Sequence, residues 1–367
     1  MAGNTIGTVF RVTTFGESHG EALGAVVDGV PAGIELDTEQ IQAALDRRKP
    51  GQTFAGQHNA SVTARKEDDK AEFLSGIFEG KSEGTPIALL IRNTSQRSHD
   101  YSNLATAFRP GHADFGYYAK YGFRDYRGGG RASARETAAR VAAGEIARQV
   151  LKKIFPDVKI TAYTERAAGI SIEKVNFEEI EQNALRAPDN KSAEKMNARI
   201  EELRRQGNSA GGIIACEVSG IGAGLGEPVF SKLDAEISRA VLSIGAVKGI
   251  EFGKGFAAAD LTGKENNDEL FLTNGKTVGF ETNNAGGILG GISTGGNIFF
   301  RVAVKPVPSI FQGQKTLRTT QNGFEECNLV IEGRHDVCLC PRIIPVIEAM
   351  VSIVLADFAL QNRLSRI

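Results

Sequence analysis

The sequence predicts a layered fold that mixes helices and strands, of the α+β or α/β class. Strand-like runs rich in β-branched residues alternate with amphipathic helical segments along the whole chain. The 367 residues are 41% hydrophobic, enough to build a sizeable core without disulfides or metals. Because no Ser/Gly linker or low-complexity tract interrupts the chain, we expect a single domain over residues 1–367, with a charged helical peripheral region at about 174–208.

The sequence predicts six strands. Each is a short segment rich in β-branched or other apolar residues, and several are bounded by Gly or Pro. They cover residues 8–14, 23–30, 87–91, 158–163, 213–218 and 298–304.

Helices are predicted between these strands. Asp37 with Gln40, and Ser133 with Glu136, have the spacing of capping boxes and predict two helix starts. Further helices are predicted from charge and apolar periodicity at residues 177–187, 191–205 and 233–244.

The apolar segment 343–360 is predicted to be a buried helix. Pro345, Glu348 and Asp357 interrupt it, and each is unfavourable in the core of a bilayer. We therefore do not expect it to span a membrane.

Composition excludes several classes of function. Lys and Arg number 43 against 44 Asp and Glu, so no whole-molecule field attracts nucleic acid or an anionic membrane. The four cysteines lack C-x-x-C spacing and the first residues lack a signal-peptide pattern, which predicts a reduced, cytoplasmic protein without structural zinc. The phosphate-binding loop, the Rossmann fingerprint and the serine hydrolase elbow are all missing from the sequence.

The stretch 109–140 predicts an anion-binding site. It carries seven basic residues against three acidic ones. Three glycines, then Arg131 and the helix start at Ser133, would bring backbone N–H groups, the positive end of a helix dipole and guanidinium groups together. The alternative is a glycine-rich turn whose arginines are merely solvated.

Three of the five histidines, His19, His112 and His335, lie in polar, glycine-flanked contexts. Imidazole titrates near neutrality, which suits proton transfer beside a phosphate leaving group. A structural role for each histidine is the alternative, and His58 and His99 are expected to be surface or packing residues. The spacings H-x-x-x-H and H-E-x-x-H do not occur, so no metal site is predicted.

A glycine cluster at 284–296 would allow either a flat ligand or another backbone to approach closely. From the residues alone, the sequence indicates an enzyme for a small, multiply anionic substrate with histidine acid–base chemistry. A noncatalytic anion-binding protein and a phosphotransferase remain alternatives.

Three motif regions, 16–31, 126–137 and 333–350, resemble those of chorismate synthases, in the same order. The resemblance implies a lyase with a β-α-β sandwich fold that converts 5-enolpyruvylshikimate 3-phosphate (EPSP) to chorismate and phosphate by 1,4-anti elimination. That reaction is the last common step of the shikimate pathway to aromatic amino acids. The resemblance also implies reduced FMN as cofactor and a homotetramer. Because no dinucleotide fingerprint is present, we expect an external flavin reductant and not NADPH used by this chain.

The resemblance assigns roles to individual residues. His19 would protonate the departing phosphate, His112 would keep the reduced flavin in its reactive protonation state, and Asp336 would help flavin N5 accept the ring proton. The residues expected to hold substrate anions are Arg48, Arg109, Arg135 and Arg334. The residues expected to contact FMN are Arg131, Ala132, Ser133, Gly245, Ala246, Gly290, Lys305, Pro306, Val307, Pro308, Ser309 and Arg334.

The sequence departs from the family pattern in three places. The second arginine usual after Arg48 is missing, and the next one is Arg65, after an apparent insertion at 52–65. We predict that Arg65 or Lys66 folds back toward the substrate; the alternative is that both are solvated. Residues 305–309 lack the usual hydroxyl pair, and 311–321 resembles a second insertion.

Overall fold

The computed structural model describes residues 3–50, 61, 68–94, 104–273, 275, 277–331 and 335–365. Its helices are α1 (Thr38–Arg48), α2 (Asp114–Tyr121), α3 (Thr137–Ile154), α4 (Asn190–Arg205), α5 (Leu233–Leu242), α6 (Gly263–Asn266) and α7 (Cys340–Asn362). Short 3-10 turns cover Gly130–Ala132, Ala134–Glu136, Phe177–Gln182 and Gly255–Asp260.

The strands are short and numerous. They are β1 (Thr5–Ile6), β2 (Arg11–Gly16), β3 (Ala22–Asp28), β4 (Ala71–Phe73), β5 (Ile77–Phe78), β6 (Lys81–Ser82), β7 (Ile87–Arg92), β8 (Lys159–Ala167), β9 (Ile170–Ser171), β10 (Gly212–Ser219), β11 (Val247–Phe252), β12 (Leu270–Thr273), β13 (Thr277–Phe280), β14 (Ile288–Leu289), β15 (Ile292–Ser293), β16 (Ile298–Val304), β17 (Gln314–Thr320) and β18 (Gly323–Leu329). The six predicted strands are confirmed as β2, β3, β7, β8, β10 and β16.

Two five-stranded antiparallel sheets form the outer layers. The first has the order β1-β2-β3-β7-β4 and the second β11-β16-β10-β8-β9. The first is built from the N-terminal quarter of the chain. The second pairs strands far apart in sequence, such as β8 with β10 and β10 with β16.

Helices fill the space between the sheets. Helix α3 contacts β2, β3 and β7 of the first sheet, whereas α7 contacts β8 and β10 of the second. The two helices also pack on each other, and α1 and α5 extend the layer. One buried hydrophobic cluster runs through all three layers. This arrangement is a β-α-β sandwich, and the predicted α+β class is confirmed.

The contact between α3 and α7 is unusually close. A Cβ atom built on Gly144 of α3 would lie 2.3 Å from the Cβ and 2.5 Å from the Cα of Ala349 on α7. Real side chains do not approach so closely, so glycine is required at position 144 for the two helices to keep this spacing.

Helix α7 is the predicted buried helix. It is long and apolar enough to cross a membrane, but its most apolar 18-residue window is 94% buried inside the protein. Pro345 lies within the helix and has no N–H for the carbonyl of Pro341. The buried guanidinium of Arg186 donates to that carbonyl instead, which satisfies the group that the proline leaves open.

Two helix predictions need correction and others are confirmed. Asp37 caps α1 through the N–H groups of Glu39 and Gln40, as predicted. Segment 177–187 forms only the 3-10 turn Phe177–Gln182, because the backbone is extended at Asn183 and left-handed at Arg186 (φ +51°), and neither conformation continues a helix. Segment 191–205 is confirmed as α4, and α5 ends at Leu242, slightly before the predicted end.

The predicted start at Ser133 is also corrected. Ser133 accepts a hydrogen bond from Arg135 N at 3.3 Å, but it caps the 3-10 turn Ala134–Glu136. Helix α3 itself begins at Thr137, without a side-chain cap.

The charged region 174–208 packs on the second sheet. Helix α4 contacts β9 and contributes Met196 and Ile200, both fully buried, to the main hydrophobic cluster. It therefore shares the core of the protein. The single-domain assignment stays a prediction.

Candidate active site

A cavity of about 1250 Å³ opens where the first turns of α2, α3 and α7 meet the edge of β2 and the segment after β16. Among the described residues, ten basic side chains line it against four acidic ones. The basic ones are Arg48, Arg109, Arg124, Arg131, Arg135, Arg140, Arg239, Lys248, Lys305 and Arg342. A neutral chain thus concentrates positive charge in one concave site, as the sequence predicted for an anionic ligand.

The glycine turn 128–130 lies between two of the predicted histidines. All three glycines have positive φ. A Cβ on Gly128 would lie 2.3 Å from Cε1 of His19, and one on Gly129 would lie 3.2 Å from Nε2 of His112. Glycine is required here because the backbone passes directly against both imidazole rings. The turn therefore contacts both His19 and His112.

The predicted cradle of free N–H groups is only partly correct. The backbone N–H groups of Gly130, Ala132 and Ser133 donate within the turn, to the carbonyls of residues 127, 129 and 130. A 3-10 turn uses its own donors in this way. Anion binding at this site must rest mainly on side chains.

Arg131 anchors the turn to the first sheet. Its guanidinium donates to Thr14 Oγ1 at 2.8 Å, to Gly16 O at 3.1 Å and to Asn4 Oδ1 at 3.0 Å. These acceptors are neutral, so the positive charge of Arg131 stays uncompensated by them at the cavity wall.

A first buried cluster, which we call the Asp69 cluster, consists of Asp69, Arg48 and Arg135. Arg48 Nη2 donates to Asp69 Oδ2 at 2.7 Å, and Arg135 donates to the other carboxylate oxygen. Both arginines line the cavity, and the side chains are at most 6% exposed. One carboxylate thus serves two guanidinium groups at the cavity wall.

The pKa values in the Asp69 cluster follow from burial and charge. Burial lowers the pKa of Arg48 to about 10; Asp69 opposes this shift, whereas Arg342 and Arg135 add to it. Burial disfavours the ionised form of Asp69, yet the two arginines outweigh this effect and hold its pKa below the usual range. Asp69 is therefore ionised at neutral pH.

A second buried cluster, the Asp114 cluster, consists of Asp114, Arg109, His112 and Arg124. Arg109 Nε and Nη2 donate to the Asp114 carboxylate at 2.7 and 2.9 Å. His112 Nδ1 lies 2.9 Å from Asp114 Oδ1, and Arg124 Nη1 lies 3.6 Å from the same oxygen. The three basic groups line the cavity and the carboxylate lies behind them.

Electrostatics in the Asp114 cluster favour a neutral imidazole. Burial lowers the pKa of His112, and Arg109 and Lys305 act in the same direction, while Asp114 opposes them. The pKa of Asp114 is held far below its usual range, since the hydrogen bonds from Arg109 and His112 outweigh its burial.

Three arginines of the cavity lining each carry one buried donor atom that makes no hydrogen bond with the described residues. These atoms are Arg48 Nε, Arg124 Nη1 and Arg342 Nε. A buried donor left unpaired is costly. Because the three atoms have almost no exposed surface, a ligand in the cavity would have to bind the other N–H groups of these arginines.

Segment 305–309 forms part of the cavity wall, next to Gly111. Lys305 Nζ donates to Gly111 O, and Lys305 N donates to Ala246 O at 2.9 Å. Ala246 has a φ of +73°, a left-handed conformation that is uncommon for alanine and found often at functional sites. Ser309 is buried and lines the cavity.

Helix α7 supplies an apolar wall. Ile343, Val346, Met350 and Ile353 line the cavity in helical spacing. At the start of the same helix, Asp336 is paired with Arg342 at 2.5 Å. A flat apolar surface thus lies next to a charged edge.

The hairpin of β17 and β18 supports the segment before Arg109. Phe108 N donates to Leu317 O and Thr319 N to Thr106 O, both at 3.0 Å. Leu104, Ala107, Leu329 and Ile331 form a small core beneath it. The segment predicted as an insertion at 311–321 therefore helps to position the Asp114 cluster.

Comparison with known proteins identifies the family. The family model for chorismate synthase matches residues 10–360. The chain is 54% identical over 367 residues to chorismate synthase of Syntrophus aciditrophicus, covering 99% of both, and 49% identical to that of Christiangramia forsetii, covering 100% of both. A solved crystal structure of a chorismate synthase matches with a TM-score of 0.75 at 32% identity, covering 97% of this chain and 93% of the other. This chain belongs to the chorismate synthase family.

Family membership confirms the resemblance seen in the sequence and supports the chorismate-forming step of the shikimate pathway as the reaction. Most residues to which the chorismate synthase resemblance assigned a role lie around the cavity. Those in its lining are Arg48, Arg109, His112, Arg131, Ala132, Ser133, Arg135, Gly245, Ala246, Lys305, Val307, Pro308, Ser309 and Asp336.

Other predicted residues of the chorismate synthase site lie elsewhere. His19 is 5% exposed and lies behind Gly128, with Ser18 Oγ 3.1 Å from its Nδ1. Pro306 is outside the lining, between two residues that belong to it. Gly290 lies in the turn between β14 and β15, so within one chain the described lining does not include it.

Several predictions fall outside the described residues. They concern Arg334, the segment 52–60, His58, His99, Arg65 and Lys66. Among the described residues, no group of three or more His, Cys, Asp and Glu is arranged to hold a metal ion.

The sequence analysis missed three residues of this chorismate synthase site: Asp69, Asp114 and Arg342. Asp69 lies in the charged run 66–70, which is typical of a solvated surface. Asp114 did carry a signal, because an acid two residues after His112 at a helix start can reach the imidazole. Arg342 lies six residues after Asp336, and nothing local indicated that the two side chains meet.

Proposed function

We propose that this protein converts EPSP to chorismate and phosphate by 1,4-anti elimination with reduced FMN. The observation that carries the proposal is the set of arginine and lysine donors, ten against four acidic side chains among the described residues, that line one cavity. EPSP carries a phosphate and two carboxylates, which are the acceptors such donors require.

The Asp69 cluster and the Arg342 pair are suited to substrate binding. Arg48 and Arg135 share one carboxylate, so an arriving anion meets an excess of positive charge. Guanidinium groups hold carboxylates and phosphates through paired hydrogen bonds, which also fixes orientation. We expect the substrate anions to lie across Arg48, Arg135 and Arg342.

The cavity fits a flavin beside the substrate. Its volume of about 1250 Å³ exceeds that of ordinary small-molecule sites. The apolar wall of α7 suits a flat ring, Gly245 leaves open space where a side chain would stand, and Lys305 with Ser309 suits polar groups of the cofactor. When bound, reduced FMN supplies an electron transiently and recovers it, without net redox change.

Three residues would handle protons. His19 would protonate the departing phosphate from its position behind Gly128, next to the lining residue Glu17. His112 would hold its Nε2 lone pair toward the flavin. Asp336, kept in place by Arg342, would assist removal of the ring proton.

The test is anaerobic incubation of the purified protein with EPSP and chemically reduced FMN. We expect chorismate and free phosphate in equal amounts, measured by chromatography and phosphate assay. His19→Gln is the matched control and should bind EPSP without turnover. The absence of both products while flavin binding is verified would overturn the proposal.

The same assay separates the alternatives. A noncatalytic anion-binding protein would bind EPSP and release nothing. A phosphotransferase would transfer phosphate to an acceptor without forming chorismate.

We further propose a homotetramer. Leu270, Leu272 and Val278 on the hairpin of β12 and β13 are 67%, 65% and 53% exposed, and Leu272 lies opposite Val278. Such an apolar face is typical of a surface covered by a partner. Light scattering on the purified protein tests this assembly.

The remaining parts of the proposal concern cell context. Free Cys216, Cys327, Cys338 and Cys340 favour a reducing, cytoplasmic location. Reduced flavin would come from an external reductant. Incubation with NADPH and FMN alone tests this, and we expect no flavin reduction.

A further inference from the structure

Two of the described residues, Arg109 and His112, make all four short polar contacts with the carboxylate oxygens of Asp114. Its Oδ2 accepts from Arg109 N at 3.1 Å and from Arg109 Nε at 2.7 Å. Its Oδ1 accepts from Arg109 Nη2 at 2.9 Å and lies 2.9 Å from His112 Nδ1. The side chain is 3% exposed, so water has little access to these bonds.

These contacts decide where the proton of His112 lies. An ionised carboxylate accepts hydrogen bonds and cannot donate. The bidentate bond from Arg109 keeps Asp114 ionised, so the proton in the 2.9 Å contact belongs to His112 Nδ1. In a neutral imidazole the other nitrogen, Nε2, then carries a lone pair.

Other charges around the ring keep it neutral. Arg109 lies on the same segment, Arg124 follows α2, and Lys305 contacts Gly111, the residue before His112. Each positive charge disfavours a second proton on His112. Nε2 lies against Gly129, and both residues belong to the cavity lining.

We propose that Asp114 is a positioning residue that holds His112 in the Nδ1–H tautomer and aims Nε2 at the cavity as a proton acceptor. The catalytic consequence rests on the proposed function, but the tautomer itself does not.

The geometry predicts what Asp114→Asn would do. The Oδ2 position faces two N–H donors of Arg109, whereas the Oδ1 position faces one, Nη2, so the amide oxygen is favoured at the Oδ2 position. The amide NH2 then occupies the Oδ1 position and donates to His112 Nδ1. The imidazole must shift its proton to Nε2, which removes the acceptor from the cavity.

The test uses the free protein labelled with 15N-histidine. Five histidines are present, and His112→Gln assigns the His112 signals in long-range 1H–15N spectra. At pH 7 we expect the parent His112 to be neutral and protonated on Nδ1. In Asp114→Asn we expect protonation on Nε2, with turnover reduced about 10²- to 10⁴-fold, the scale of a misplaced proton acceptor.

The matched control is Asp189→Asn. Asp189 is also a buried, hydrogen-bonded carboxylate, but it caps α4, so His112 should keep its parent spectrum. A parent His112 protonated on Nε2, or a folded Asp114→Asn that keeps the Nδ1 proton, would overturn the inference. The parent spectrum decides even where the variant does not fold. If the parent makes no chorismate, the proposed function fails while the tautomer result stands.

Discussion

The two buried clusters differ in what their carboxylate does. In the Asp69 cluster the carboxylate bridges Arg48 and Arg135. In the Asp114 cluster it is held bidentately by Arg109 and also touches an imidazole. The first cluster therefore stores positive charge at the cavity wall, while the second fixes the position of a proton.

This difference shows that arginine count alone does not describe the site. All of these arginines line the same cavity, yet Arg109 is committed to Asp114 through two bonds, whereas Arg48 retains a buried donor without a partner among the described residues. We infer that the first cluster serves binding and the second serves chemistry. The following predictions test that division.

The largest effect is expected from the histidines. His112→Ala and His19→Ala should each lower turnover about 10²- to 10⁴-fold, because general acid or base catalysis contributes on that scale. Steady-state kinetics with EPSP and melting curves provide the measurement. Activity near the parent rate in both variants would show that neither imidazole transfers a proton in the rate-limiting step.

Asp69→Asn should destabilise the free protein by about 3–5 kcal/mol, since it leaves two buried guanidinium groups without their shared carboxylate. Phosphate or EPSP should restore part of the loss by supplying an anion. Asp28→Asn is the control, because its pair with Arg11 is exposed and should change stability by less than about 1 kcal/mol. Denaturant unfolding of both variants gives the comparison; equal midpoints would contradict the role of the Asp69 cluster.

Arg48→Ala should raise KM tenfold or more, which corresponds to about 1.4 kcal/mol of binding. Arg47→Ala is the matched control. Arg47 is adjacent in sequence but pairs with Glu348 and Glu181 away from the cavity, so it should lower the melting temperature and leave KM unchanged. Similar KM values for both variants would show that Arg48 does not bind the substrate.

The smallest expected effect is on the stability of the protein at acidic pH. Asp69 and Asp114 have pKa values below their usual range, so their stabilisation is complete above the unfolded pKa of about 3.9 and is lost as pH falls toward the folded values. Asp114→Asn should therefore lose less stability than the parent between pH 5 and pH 2, measured by urea unfolding. Parallel pH curves would show that the carboxylate is not ionised in the folded protein.

Local sequence patterns predicted where the helices and strands lie better than they predicted which strands pair with each other. The Val- and Ile-rich runs and the cap at Asp37 were confirmed because they depend on neighbouring residues only. The pairing of β16 with both β10 and β11 joins distant segments, up to Gly212 with Val304, and no local signal specifies such contacts. The 3-10 turn at Phe177–Gln182 ends because the backbone becomes extended at Asn183, which charge periodicity cannot reveal.

Site residues could be predicted from the sequence where they lie close together in one motif. His112, Arg109 and the glycine turn were all found in one stretch of sequence. Asp69 was missed because its role depends on Arg48 and Arg135, which other segments supply. That the glycine turn separates two histidines could be known only from the packing of His19 against Gly128.

The close contact of Gly144 with Ala349 in the hydrophobic core affects the size of the cavity, because both helices also line it. Helix α3 begins at Thr137 in the cavity lining, and α7 contributes the apolar wall. Any side chain at position 144 would push these helices apart, and trimming Ala349 to glycine would not compensate, because its Cα and carbonyl oxygen also lie within 2.8 Å of the added atom. Gly144 is outside the described cavity lining, yet it sets the distance between two helices that line the cavity and therefore the width of the pocket.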